Sequence, residues 1–157
     1  MIEWFDDFEL VDDKITGKKS LVVKDKYIHN GHLNQNVVNE GFLYLLFYVS
    51  LMLSKETPSF FAIDNIEAAF HPVLCQELTK QLANLSKQQN KQIVVTTHNP
   101  FILDGLNLSD PEQNLLVVRR NSEGETIVDK IDKKPIGVKL SEAWMRGYIG
   151  GQPETID

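Results

Sequence analysis

Phe60-Phe61-Ala62-Ile63-Asp64-Asn65-Ile66-Glu67 is the stretch on which the fold turns. Four apolar residues run straight into an acid, without the polar alternation of a half-wet strand. Such a run predicts a short strand of a parallel sheet, covered on both faces. Ile93-Val94-Val95, followed by Thr96-Thr97-His98-Asn99-Pro100, repeats the layout. Between them, from Pro72 to about Gln89, Leu74, Leu78, Leu82 and Leu85 form one apolar stripe at helical spacing. Pro72 suits a first helical turn, where its missing N–H costs little. Strand, helix, strand in that order predicts a parallel sheet flanked by helices. The working groups of such sheets stand just beyond the carboxyl ends of the strands. That rule selects residues 64–67 and 97–100.

The residue types there have a chemistry. An aspartate at a strand end suits magnesium, a hard cation that takes oxygen ligands, often through water. A histidine one strand away has the reach to touch a phosphate oxygen or orient a water. Taken singly, either residue is more often structural than functional, and it is their combination that carries weight.

Working outward, the first nineteen residues set Trp4, Phe5 and Phe8 against Asp6, Asp7, Asp12 and Asp13, predicting an edge strand or a packed arm. Ser20 to Tyr27 predicts a strand, and Asn30, Gly31, Asn34, Gln35 and Asn36 a polar loop. Asn39-Glu40-Gly41 leads into Phe42–Leu53, an apolar segment of about twelve residues where a membrane span needs roughly 20. It predicts a helix buried on most sides. Past the second strand come a short helix over Pro100–Leu106 and a hairpin of Leu115–Arg119 with Thr126–Ile131 about Asn121–Gly124. A last helix over Ser141–Tyr148 precedes Gly150-Gly151-Gln152-Pro153. No repeat or linker divides the chain, so residues 1–157 are expected to form one domain.

Composition sets the outer limits. At 157 residues, folding hides about 70% of the unfolded surface, enough for a core without metal or disulfide staples. Apolar residues at 42% and charged residues at 24% place the chain among globular proteins. A net charge of −6 argues against a dedicated nucleic-acid module. Cys75 is the single cysteine and the amino terminus has no secretory layout, so a cytoplasmic setting without membrane is expected.

With these segments in place, FFAIDNIEAAFHP (60–72) resembles the Walker B segment of ABC-type ATPases of the SMC/RecF/OLD-like branch. That pattern is four apolar residues, then Asp-Glu-Pro-Glu, then Leu-His-Pro. QIVVTTHNPFILD (92–104) resembles the switch-histidine segment of that branch. VVNEGFLYLL (37–46) resembles its signature turn and buried helix, and LSEAWMRGYIGGQP (140–153) its closing tail. The order is the family's own, and the segments cover most of residues 37–153. The resemblance implies a partial P-loop NTPase fold, an ABC-ATPase-like α/β layering around a mostly parallel sheet. It implies ATP and Mg2+ as ligands, with Asp64 holding the metal through water and His98 meeting the γ-phosphate. Asn39, Glu40 and Gly41 match the turn that packs on nucleotide bound by the opposite subunit, and His71-Pro72 lies near where such dimers meet.

Two departures stand out. Asn65 occupies the position of the catalytic glutamate; an amide orients a water but cannot take its proton. Glu67, two residues on, is a substitute base at an unusual spacing. Asn39 also replaces the usual signature serine. Second, no G-x-x-x-x-G-K-[ST] string occurs. The nearest, Gly17-Lys18-Lys19-Ser20, has Asp12 where the leading glycine belongs and reads as a turn between strands. The chain therefore resembles the carboxy-terminal lobe alone, lacking the amino-terminal Walker A lobe that would be its first partner. A homodimer in the full assembly is implied too.

Other candidates have plainer readings. His29 and His32 share a metal-pair spacing but sit in a polar loop without a third ligand. Arg119 and Arg120 end a strand at a surface edge. Glu123-Gly124 is not followed by Asp-x-Asp, only by Asp129 and Asp132, and reads as a hairpin turn. Phe42, Tyr44, Phe47 and Tyr48 fall on all sides of one helix and read as core rather than a base-stacking platform. Cys75 shows no sign of a reactive thiol. The expected function is a nucleotide-driven dimerisation switch, with DNA-linked or phage-defence work implied by the resemblance. The alternatives are a catalytically degenerate regulatory module and the ATPase subunit of a nuclease system.

Overall fold

The structure, a computed structural model, describes residues 3–12, 14, 17–29 and 31–151. It divides into two compact units, Met1–Ser50 and Leu51–Asp157.

In the first unit, β1 (Phe5–Asp12), β2 (Lys19–Asp25) and β3 (His32–Asn34) form an antiparallel sheet in chain order. Val23, at the centre of β2, is wholly buried, and Val38 and Phe42 close over it together with Trp4, Phe5, Leu21 and Leu33. The rings of Trp4 and Phe5 lie 5.0 and 5.2 Å from that of Phe42. Gly17, at φ +67°, takes a left-handed turn that suits glycine. Lys19 and Ser20 are already in the ladder, paired with Asp12 and Val11. The Gly17–Ser20 string is thus the exit of a hairpin; residues 13, 15 and 16 of that connection lie outside the described ones.

The strand β3 falls where a polar loop was expected. It is held by backbone pairing of residues 32–34 with Val22–Lys24, continued by Gln35, whose N–H and side chain both bond to Leu21. A backbone ladder leaves no mark on so polar a segment. Asn30 lies outside the described residues. After it, α1 (Glu40–Leu53) starts at Asn39, whose Oδ1 accepts from the Phe42 N–H at 3.3 Å. Phe42, Tyr48 and Met52 are buried, but Phe47 and Leu53 are more than half exposed, so one side of the helix is more open than its composition predicts.

The second unit contains β4 (Phe60–Ile63), α2 (Pro72–Gln89) and β5 (Gln92–Val95), with β4 and β5 parallel and Ile63 opposite Val95. His71 caps α2 by accepting the Val73 N–H on Nδ1, and Pro72 occupies the first turn. The helix ends at Asn90, left-handed at φ 51°, where the N–H groups of Asn90 and Lys91 return to Lys87 and Ser86. Its buried residues are Cys75, Leu78, Thr79 and Leu82, so the seam runs beside the leucine stripe, with Leu74 and Leu85 only half-buried. The Lys91 ammonium donates to the carbonyls of Leu51 and Ser54 at 2.8 and 2.6 Å, satisfying the end of α1.

Beyond β5, α3 (Pro100–Leu103) is shorter than its apolar run suggests. At Gly105 an added Cβ would stand 2.4 Å from the Gln76 carbonyl oxygen and 2.5 Å from Thr79 Cβ, so the chain passes α2 where no side chain fits. The buried Thr79 hydroxyl lies 3.1 Å from the Cys75 carbonyl and 2.9 Å from that of Ile102, joining α2 to α3. The hairpin of β6 (Leu115–Arg120) and β7 (Thr126–Ile131) follows as expected, then α4 (Leu140–Met145). Leu103, Leu115, Leu140, Ala143 and Ile149 form the core of this part. The Asp104 carboxylate accepts the Ser141 N–H and hydroxyl at 3.0 and 2.7 Å, pinning α4 to the end of α3.

One expectation needs correction. The parallel sheet is two strands wide among the described residues, and both faces are not covered. Phe61, Ile63, Ile93 and Val95 are half-buried on one face; Phe60, Ala62, Gln92 and Val94 are exposed on the other, Phe60 at 57% and Val94 at 46%. The apolar residues demanded by a two-sided environment are present, but among the described residues the second side is only partly covered.

Candidate functional site

Parallel pairing brings the ends of β4 and β5 level, so Asp64 and Thr96 leave the sheet as neighbours. The Thr96 hydroxyl donates to Asp64 Oδ1 in a short hydrogen bond. The same hydroxyl oxygen accepts the Asn65 N–H at 3.0 Å, and the Thr96 carbonyl accepts the Ile66 N–H at 3.2 Å. Ile66 is almost wholly buried, an anchor that turns residues 64–67 back over the strand tips. Asn65 sits at φ 49°, a left-handed conformation that asparagine tolerates better than most side chains.

The turn at residues 97–99 is tied down in the same manner. Glu67 Oε1 accepts the His98 N–H at 2.8 Å across thirty-one residues of sequence. Asn99 caps α3 by accepting the Phe101 N–H at 3.0 Å, and its amide donates toward Cys75 Sγ at 3.6 Å. Thr97 and Asn99 exchange hydrogen bonds within the turn. The Cys75 thiol is buried, and its pKa is pushed up by that burial first and by the charge of Glu67 second. The second oxygen, Glu67 Oε2, is buried and has no partner among the described residues.

What remains open is as telling as what is tied. Asp64, Asn65 and His98 are all exposed. Among the described residues, Asp64 Oδ2, the Asn65 amide and the His98 imidazole make no hydrogen bond. Anchored backbones therefore present a carboxylate oxygen, an amide and an imidazole at one end of the sheet. No set of three His, Cys, Asp or Glu side chains able to hold a metal is present among the described residues. A single carboxylate oxygen still fits magnesium, which commonly takes one or two protein ligands and completes its shell with phosphates and water.

Asn39, Glu40 and Gly41 stand at the start of α1 in the first unit: Asn39 is the cap, Glu40 the acid of the first turn, and Gly41 is buried. Elsewhere the plain readings agree with the geometry. His32 lies 3.7 Å from Glu9. Arg119 pairs with Asp129 at 2.7 Å across the hairpin, and Arg120 holds the Gly124 carbonyl. Asn121 Oδ1 accepts the N–H groups of Glu123 and Glu125 inside the turn. Among the described residues no helix is long and apolar enough to cross a membrane.

Sequence reasoning missed Thr96, Glu67's bond to the switch turn and the tether from Cys75 to Asn99. Thr96 was within reach: matching the two apolar runs by their ends sets it opposite Asp64. Nothing in sequence marks a side chain bonded to a distant backbone N–H.

A model of the family described as "AAA domain, putative AbiEii toxin, Type IV TA system" matches residues 5–104, which contain all of these strand-tip residues. None of the curated proteins compared matches the chain. Among solved structures, one reported under "Structural biochemistry of ATP-driven dimerization and DNA stimulated activation of SMC ATPases" is similar in fold. Its TM-score is 0.60 at 13% identity, over 92% of this chain and 80% of that one.

Proposed function

We propose, from the premise that this chain belongs to the AAA domain family matched over residues 5–104, that it is the carboxy-terminal lobe of an ATP-dependent dimerisation switch. The observation that carries this reading is the set of open polar groups held in place at the strand tips: the second carboxylate oxygen of Asp64, whose first is held by Thr96, and the side chains of Asn65 and His98, whose backbone N–H groups are anchored. A site built to receive a ligand needs groups held in place but not consumed by the protein itself. The open face of β4 and β5 adds support, because parallel strands are normally covered on both sides. The amino-terminal lobe with its phosphate loop, on the same polypeptide or another, is the partner we assign to it.

In an assembly with that lobe, Asp64 would hold Mg2+ and His98 would hydrogen-bond the terminal phosphate of ATP. The Mg2+ supplies charge neutralisation there. Asn39, Glu40 and Gly41, at the N-terminus of α1, would face nucleotide held by a second copy, where helix N–H groups favour an anion. Asn65 orients a water and takes no proton, so hydrolysis is slow unless another group serves. That residue favours a second reading, a catalytically degenerate module that binds and signals without turnover. A DNA-linked or phage-defence process is the setting we infer from the resemblance.

Calorimetry on the isolated chain is expected to detect ATP binding no tighter than weakly, since nothing here cradles phosphates. Micromolar binding would overturn the lobe assignment. With the phosphate-loop lobe supplied, Asp64→Ala should abolish Mg2+-dependent hydrolysis. No turnover in the parent together with turnover in Asn65→Glu selects the degenerate module.

A further inference from the structure

We infer that Glu67 is a positioning residue, a clasp that holds the backbone of the switch turn so that His98 projects its imidazole outward. The inference rests on the reading of the strand tips as a nucleotide site, but its geometry stands independently. Oε1 accepts the His98 N–H at 2.8 Å. This is a charge-assisted bond, stronger than one between neutral groups. It joins the loop after β4 to the loop after β5, below the point where Thr96 already joins them through Asp64 and Asn65.

A second tether works from the same side. Cys75, on α2, meets the Asn99 amide at 3.6 Å, and the charge on Glu67 is one reason its thiol resists ionisation. The turn is therefore held at two successive residues, His98 and Asn99, by Glu67 and by Cys75. The imidazole between these anchors is exposed and unbonded among the described residues. Freedom at the side chain combined with restraint at its own N–H is the arrangement a positioned contact requires.

The same geometry removes Glu67 from the role of general base. A base must reach a water at the site. Here one oxygen is engaged by a backbone N–H, and the other is buried without a partner. A buried carboxylate oxygen with an unmade bond costs stability, a cost that the charge-assisted Oε1 contact offsets in part.

The experiment compares Glu67→Gln and Glu67→Met in the full chain. Glutamine keeps an oxygen that accepts an N–H and cannot take a proton; methionine fills the space and does neither. Amide hydrogen exchange at His98 should quicken by about tenfold or more in Glu67→Met and change little in Glu67→Gln. The amides of Leu78 and Leu82 report that α2 is intact. Unchanged His98 exchange in Glu67→Met overturns the clasp, whatever the assembly does with nucleotide. In the assembly completed with the phosphate-loop lobe, Glu67→Met should lower kcat by about tenfold with little change in KM, and Glu67→Gln should stay near the parent. Equal loss in both variants makes Glu67 a base and sinks the proposal. If no form binds ATP with the phosphate-loop lobe supplied, the nucleotide reading fails; if ATP binds without turnover, the degenerate module stands; in both cases the exchange measurement still decides the clasp.

Discussion

Asn65 carries two demands at once. It stands where the resembling family keeps a glutamate, and its backbone is left-handed at φ 49°. Asparagine is among the few non-glycine residues that occupy this region readily, because its short amide side chain tolerates it. Glycine should therefore be accepted there, with thermal unfolding of Asn65→Gly showing a change within about 0.5 kcal/mol. Asn65→Glu should cost about 1 kcal/mol, the usual price of the left-handed region for an ordinary side chain. Equal stability of the two variants would show that the backbone at 65 relaxes freely. Asp64 and His98 were legible because each follows a run of apolar residues, Asp64 directly and His98 after two threonines, and a run fixes where a strand stops. Glu67 was legible only as a carboxylate. The sequence offered it as a substitute base at an unusual spacing; its bond to a backbone N–H thirty-one residues away, brought near by strand pairing, left no mark there.

Elements were read well where side chains set them and poorly where backbones did. The helix α2 was found almost to the residue, from Pro72 to Gln89, because proline and the apolar period mark its course. Its seam was displaced, since Cys75 and Thr79 rather than Leu74 and Leu85 are buried. The cause is α3, which crosses close enough for Thr79 to reach the Ile102 carbonyl and for Gly105 to pass α2 without a side chain. Gly105→Ala forces a methyl group against the Gln76 carbonyl oxygen, a backbone atom that cannot rotate away. Overpacking of this kind is expected to cost about 1–3 kcal/mol, read as a lower denaturation midpoint at unchanged slope. An unaltered midpoint would mean that α3 is loosely held. The strand β3 escaped notice for the opposite reason: three residues, one of them apolar, carry too little pattern to announce a ladder.

At the scale of the whole molecule, the exposed face of β4 and β5 is where the structure departs from what the sequence anticipated. The apolar run at 60–63 implied cover on both sides; one side has it. Val94→Asp tests whether the open side is an interface. On an exposed strand position the substitution should change stability by no more than about 1 kcal/mol. Binding to the phosphate-loop lobe, measured by titration, should weaken by at least about tenfold, because a charge would have to be desolvated in the joint. Undiminished affinity would place the joint elsewhere. The fold was legible at this level because several short motifs occur in a set order. The extent of the sheet was not, since a run of apolar residues records the environment a strand requires, without recording which polypeptide provides it.

Strands β4 and β5 also have unpaired outer edges among the described residues. Rows of free N–H and C=O groups flanked by phenylalanine and valine are templates for strand addition. Edges of this kind favour pairing with further strands, so the purified chain should gain β-structure and self-associate as its concentration rises, a tendency that light scattering would read.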